Sequence, residues 1–164
     1  MSTAIVLPDL TNWTKQHINA IFQATNQADF TSAIDAFLSD KATITSNGVT
    51  ISRADFVSQV QGEKFDETGA TVTFTSAVEV PSDTTQAALA GSVGVSYNAV
   101  ITEGIRVLGG PVTRQVTASV NVVIFQDPDV PKPPPSPIRG FFDGRRVLSL
   151  NQVSLVGPVP AQTA

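Results

Sequence analysis

The chain holds one histidine, His17, placed one helical turn after its only tryptophan, Trp13, and one tyrosine, Tyr97. An imidazole titrates near neutrality and a phenol donates a hydrogen bond. His17 as a general acid or base with Tyr97 as its donor is therefore the acid–base chemistry these residue types offer. The competing reading makes His17 a core or rim histidine satisfied by a hydroxyl or a backbone group. Little else could move a proton inside the fold. No Asp, Glu, Lys, Arg or His occurs from Thr68 to Val78, from Thr84 to Thr102, or from Gln115 to Gln126. Zero cysteines exclude disulfides, thiolate metal sites and a cysteine nucleophile. A lone histidine argues against a transition-metal site and no clustered carboxylates suggest calcium, so no metal and no cofactor are expected. No phosphate loop, dinucleotide fingerprint, serine elbow or zinc-protease motif is present.

These side chains must be positioned by one domain, since 164 residues fit a single core. We place it at residues 1–156, with a flexible tail at 157–164. The net charge of −4 and a charged fraction of 15% leave no basic stripe to follow a phosphate backbone, so nucleic acid is not an expected partner. The stretch Met1 to Pro8 lacks a positive start and its apolar run is short, which predicts neither signal peptide nor membrane span, and a cytoplasmic protein. The Asn12-Trp13-Thr14 sequon carries little weight without a secretory signal.

From about Leu10 to Thr25, Leu10, Trp13, His17, Ala20, Ile21 and Ala24 form one helical stripe, with Ile18 and Phe22 beside it. Asp29 is the expected N-cap of a second helix whose Phe30, Ala33, Ile34, Phe37 and Leu38 share a face, and which should end near Asp40. Asn47-Gly48 between β-branched runs predicts a tight hairpin, and Ser52 with Asp55 a capping box for a third helix reaching Gly62. Long strands follow. Their period of two puts Val72, Phe74, Ser76 and Val78 on the inner face, opposite Thr71, Thr73, Thr75 and Ala77. The next two strands put Leu89, Val93, Val95 and Tyr97, then Val116, Val120, Val122 and Ile124, on that same face. Ser92, Ser96, Asn98, Thr117, Ser119 and Asn121 fall on the other, which can be wet or pair with another subunit. The last strand, roughly Arg145 to Leu155, shifts its alternation after Leu150, which predicts a bulge there.

Residues 127–138 interrupt the final hairpin with a proline-rich insertion, six of the eleven prolines lying within Asp127 to Pro137. Pro134 to Arg139 fits a ligand for proline-recognition domains, and a plain structural loop is the alternative.

Helix, helix, hairpin, helix and four antiparallel strands resemble the nuclear transport factor 2-like superfamily, also called SnoaL-like or cystatin-like. Three local signatures carry the likeness: Ala28-Asp29-Phe30, Leu38-Ser39-Asp40-Lys41-Ala42, and Phe142-Asp143-Gly144-Arg145-Arg146-Val147. The proline-rich insertion departs from the pattern. The resemblance implies an α+β fold, with three helices from the N-terminal half packed on a strongly curved antiparallel sheet that forms a cone. It also implies an apolar pocket and a homodimer. Trp13, His17, Phe74, Val95, Tyr97 and Val120 are the residues expected to line that pocket. Fold alone names no chemistry. The reading adopted is a non-catalytic, homodimeric cone that binds a small apolar molecule. The alternatives are an isomerase, cyclase or dehydratase of a hydrophobic metabolite using His17 and Tyr97, and an interaction module presenting the proline-rich loop.

Overall fold

Asn47 and Gly48 turn the chain where the sequence expects it. Both take positive φ, 49° and 82°, the geometry in which a two-residue loop matches the twist of its flanking strands, here β1 (Leu38–Ser46) and β2 (Val49–Ile51). Gly48 adopts that φ without a side-chain clash. The computed structural model describes residues 6–63, 67–134 and 142–160. Before the hairpin come α1 (Leu10–Gln23) and α2 (Gln27–Phe37); after it come α3 (Arg53–Glu63) and the long strands β3 (Glu67–Pro81), β4 (Gly91–Val107), β5 (Gly110–Gln126) and β6 (Arg145–Pro158). The six strands form one unclosed sheet in the order β2-β1-β6-β5-β4-β3. All neighbours are antiparallel except β1 and β6, which run parallel. Three helices on a curved sheet are thus the architecture, as the sequence predicts. The core lies between them, with Trp13, Phe37, Leu10, Ile34 and Ile101 almost wholly buried.

The caps explain where the helices begin. Asp9 accepts from the Asn12 backbone N–H at 2.7 Å and opens α1, while Ser52 and Asp55 exchange hydrogen bonds at the start of α3 as predicted. The second helix starts earlier than expected. Asn26 is its N-cap, accepting from the Asp29 N–H at 2.8 Å, and Asp29 is the reciprocal partner one turn in, taking a bond from the Asn26 amide. The capping box is shared by the two residues, Asn26 as the cap and Asp29 as its partner. The helix also ends at Phe37 rather than near Asp40, because Leu38 already pairs with Val147 in the sheet.

Two bulges decide which side chains face inward. In β3 the register with β4 jumps between Phe74 and Ser76, so the alternation flips at Thr75. Val78, expected inside, is instead 65% exposed on the outer face, and Glu79 turns in. There its carboxylate accepts from the Thr11 N–H at 2.7 Å and the Thr11 hydroxyl at 2.8 Å. It supplies the negative charge that the first turn of α1 lacks. Glu79→Ala should therefore lower stability by about 1–2 kcal/mol, read as a thermal melt falling by several degrees. An unchanged melt would show that the inward turn of Glu79 contributes nothing. In β6 the bulge sits at Leu148 rather than after Leu150, where the pairing jumps from Ile124–Val147 to Val123–Ser149. From there Leu150, Gln152 and Ser154 point inward, and Val153 and Leu155 outward.

Leu89, expected on the inner face of a strand, lies in the turn that precedes β4, which begins only at Gly91. At the other end β6 stays paired with β5 as far as Pro158. The proline-rich insertion leaves the sheet at Asp127, whose N–H is held by the Gly144 carbonyl at 2.8 Å, and residues 131–134 are exposed. Most of the Pro134 to Arg139 motif lies outside the described residues. No helix of the described residues is long and apolar enough to cross a membrane.

Candidate functional site

A cavity opens between the helices and the inner faces of β4, β5 and β6. Ile21 and Phe22 of α1, Phe37 of α2, and Phe56 and Val60 of α3 close it on the helical side. Val116 and Val120 of β5 and Leu150 of β6 close it on the sheet side. Its volume is about 30 Å³, room for one or two water molecules. Four polar side chains also reach it: Glu63, Tyr97, Gln152 and Ser154.

Strand register places three of these. Tyr97 pairs with Ala118, which pairs with Ser154, so the phenol and the hydroxyl share one row of the inner face with a short methyl between them. Gln152 stands in the next row, across from Val120. The fourth, Glu63, is the last residue of α3 and is only 9% exposed. Burial pushes its carboxyl above the usual range, held back by the Gln59 amide and the positive charge of Arg114. A chain of hydrogen bonds runs behind it. Gln152 donates to Ser46 at 3.3 Å, Ser46 to Gln59 at 3.1 Å, and Gln59 to Glu63 in a long bond of 3.4 Å. Arg114 donates to the Glu63 backbone carbonyl at 3.0 Å and pairs with Glu103. Tyr97 packs edge-on against Phe22, with ring centroids 5.7 Å apart, and beside Phe74 at 5.8 Å. Burial raises its pKa, and the nearby Glu63 charge raises it further. The phenol stays protonated, and its hydroxyl has no hydrogen-bond partner among the described residues.

His17 belongs to a different cluster. Its ring lies 4.3 Å from that of Trp13 and is stacked 5.9 Å from Phe37. Beyond them Trp13 Nε1–H donates to Asp143 at 3.1 Å, and Arg145 grips both oxygens of that carboxylate at 2.9 and 2.8 Å. Burial lowers the His17 pKa to about 4; Asp143 pulls it up and Arg145 pushes it down. The imidazole is neutral across the physiological range. Of the six residues expected in the pocket, the fold brings Tyr97 and Val120 to the cavity. Trp13, His17, Phe74 and Val95 do not line it. The reason is the direction of α1, which turns Ile18, Ile21 and Phe22 toward the cavity and Trp13 toward Asp143.

No family model matches the chain, and no curated protein matches it in sequence. Solved structures do. Mtr2 of Candida albicans superimposes with a TM-score of 0.55 at 16% identity, covering 91% of this chain and 94% of that one. AclR, a putative hydroxylase from Streptomyces galilaeus, gives 0.53 at 16% identity over 88% and 90%. IdmH, a putative polyketide cyclase from Streptomyces antibioticus, gives 0.51 at 15% over 85% and 90%. The chain has the nuclear transport factor 2-like fold. Mtr2 is also known in a complex with the Mex67 M domain, so neighbours on this fold include both putative enzymes and an assembly partner. The likeness fixes the fold and leaves the chemistry to the cavity.

Within the nuclear transport factor 2-like fold, Glu63 is the site residue that sequence reasoning missed. It lies off the long strands, which carry few charges. The signal was on α3, where Phe56, Val60 and Glu63 follow one another at i, i+4 and i+7 and so share a buried stripe. Gln152 and Ser154 were hidden by the Leu148 bulge. Among the described residues no group of three histidine, cysteine or acidic side chains converges to hold a metal ion.

Proposed function

We propose that this protein is a homodimeric binding domain whose cone takes a small apolar molecule. The observation that carries the reading is the cavity itself: an apolar lining that includes a phenol with no hydrogen-bond partner among the described residues and a buried carboxyl, the composition of a small-molecule site. At about 30 Å³ the space is tight, so an occupant enters by displacing a wall.

The dimer reading rests on the outer face of the sheet. Four cross-strand rows run Val80-Ser92-Val123-Ser149, Val78-Gly94-Asn121-Asn151, Ser76-Ser96-Ser119-Val153 and Thr73-Asn98-Thr117-Leu155. None of these side chains is charged. Val78, Val80, Val153 and Leu155 are each more than 60% exposed. At the usual strand and residue spacings the patch covers on the order of 500 Å², toward the roughly 800 Å² per partner of a standard interface. Gly94 keeps its centre low, since a Cβ there would lie 2.8 Å from the Asn121 amide oxygen. A second copy can pack closely on such a face through an isologous contact.

Native mass spectrometry of protein purified from its own cells tests both halves, and should find a dimer carrying a small additional mass. Asn121→Arg, which sets like charges against each other near the two-fold axis, should yield a folded monomer. A wild-type monomer at micromolar concentration by light scattering would remove the dimer. A cavity that takes up no apolar probe would remove the ligand.

A further inference from the structure

The cavity lining holds both a donor and an acceptor, Tyr97 and Glu63. Tyr97 offers an O–H that no described protein group accepts. Glu63 offers a carboxylate of which one oxygen, Oε1, takes a bond from Gln59, leaving the other to accept. The two lie close enough for the Glu63 charge to act on the phenol, yet they do not hydrogen-bond to each other. We propose that this part of the cavity is a hydroxyl site, in which the oxygen of a small apolar alcohol accepts from Tyr97 Oη–H and donates its own proton to a Glu63 carboxylate oxygen.

This rests on the reading of the cone as a ligand site and specifies what the ligand must carry. A hydroxyl is the simplest group that satisfies both partners at once. A ketone can accept from Tyr97 but leaves the second Glu63 oxygen without a donor, and an unmet polar group out of water is costly. A ligand carboxylate meets the Glu63 charge as a repulsion. An ammonium would find its partner in Glu63 but has no lone pair for Tyr97, and it would bring its charge near Arg114. The remaining lining is hydrocarbon and aromatic, so the rest of the molecule must be apolar.

Binding of cyclohexanol, cyclohexanone and cyclohexane to the full chain, followed by ligand-observed NMR titration, tests the inference. Burial pushes the Glu63 carboxyl up, so the titration is run on the alkaline side, at about pH 8, which favours the carboxylate. The groups facing it are Gln59 on its own helix, Tyr97 from β4, and Arg114 from β5, itself paired with Glu103. Cyclohexanol should bind about tenfold tighter than cyclohexanone, the discrimination expected when a site's polar group is left unpaired by the wrong ligand. Tyr97→Phe and Glu63→Gln should each bring the two affinities close to parity, with thermal melts confirming that the variants fold. Should one variant fail to fold, the wild-type ratio and the other variant still decide. A ketone that binds as well as the alcohol while cyclohexane also binds would overturn the hydroxyl site and leave the cone reading standing. A preference for alcohol that survives in both folded variants would overturn it equally. Failure of all three probes to bind would overturn the cone reading along with it.

Discussion

Replacing Arg145 with alanine should cost about 3–5 kcal/mol, the range for removing one partner of a buried ion pair, and lower the melting temperature by roughly ten degrees in a domain of this size. The side chain is completely buried. Its guanidinium makes two bonds to Asp143, and Nη1 reaches the carbonyls of Pro8 at 2.7 Å and Ala88 at 2.9 Å while the fork lies 5.5 Å over the Trp13 ring. One residue therefore ties the entry to α1, the turn before β4 and the start of β6. Removing it leaves a carboxylate without its counter-ion and two backbone carbonyls without a donor, and each loss is charged at the full desolvation cost. Arg145→Lys should recover only part of the loss, because an ammonium cannot span the same fork. Asp143→Leu combined with Arg145→Met should recover more than either single change, since an apolar replacement of a buried pair is often neutral. A loss below about 1 kcal/mol for Arg145→Ala would show that this clasp is dispensable.

Asp143 and Arg145 were visible in the sequence only as a turn into the last strand. Their role depends on partners far along the chain, Pro8, Trp13 and Ala88, and no local pattern announces a contact across that distance. What was legible is what local physics controls. The Asn47-Gly48 hairpin follows from backbone conformations that those two residues tolerate, the third helix from its capping box, and the inner faces of β4 and β5 from unbroken alternation. What was not legible is where alternation breaks. Val72, Phe74, Ser76 and Val78 read as one continuous face, yet a bulge at Thr75 sends Val78 out so that Glu79 can reach the N-terminus of α1. The bulge at Leu148 does the same in β6, placing Gln152 and Ser154 in the cavity. Both shifts move polar groups inward, so a reading that sends apolar residues to the core misses them together. Two of the six expected pocket residues, Tyr97 and Val120, line the cavity; they lie where β4 and β5 pair in unbroken register, as does Val95, which is buried outside the cavity lining.

Acidification between about pH 6.5 and 4 should destabilise the protein by up to about 3 kcal/mol through His17 alone. In the unfolded chain the imidazole binds a proton below about pH 6.5. In the fold, burial against Trp13 and Phe37 lowers its pKa to about 4. Between those values the unfolded state carries a proton that the native state refuses, so stability rises with pH across the window and falls as acid is added. Of the other shifted groups in these clusters, Asp143 adds a loss at lower pH and Glu63 opposes it. Burial would push Asp143 up, but its bonds to Arg145 prevail and hold it below the usual carboxylate range, so its contribution is lost only as the pH falls below that range. Glu63, pushed up by burial, acts in the opposite sense, because protonation relieves the cost of its charge. His17→Phe keeps an aromatic ring between Trp13 and Phe37 and removes the titration. Its stability, followed by denaturant unfolding from pH 7 to pH 4, should be flat or should rise slightly in acid where the wild type loses stability. An identical acid slope in the two proteins would mean that the histidine titrates in the native state much as it does in the unfolded chain, and that the cluster around Trp13 does not exclude its proton.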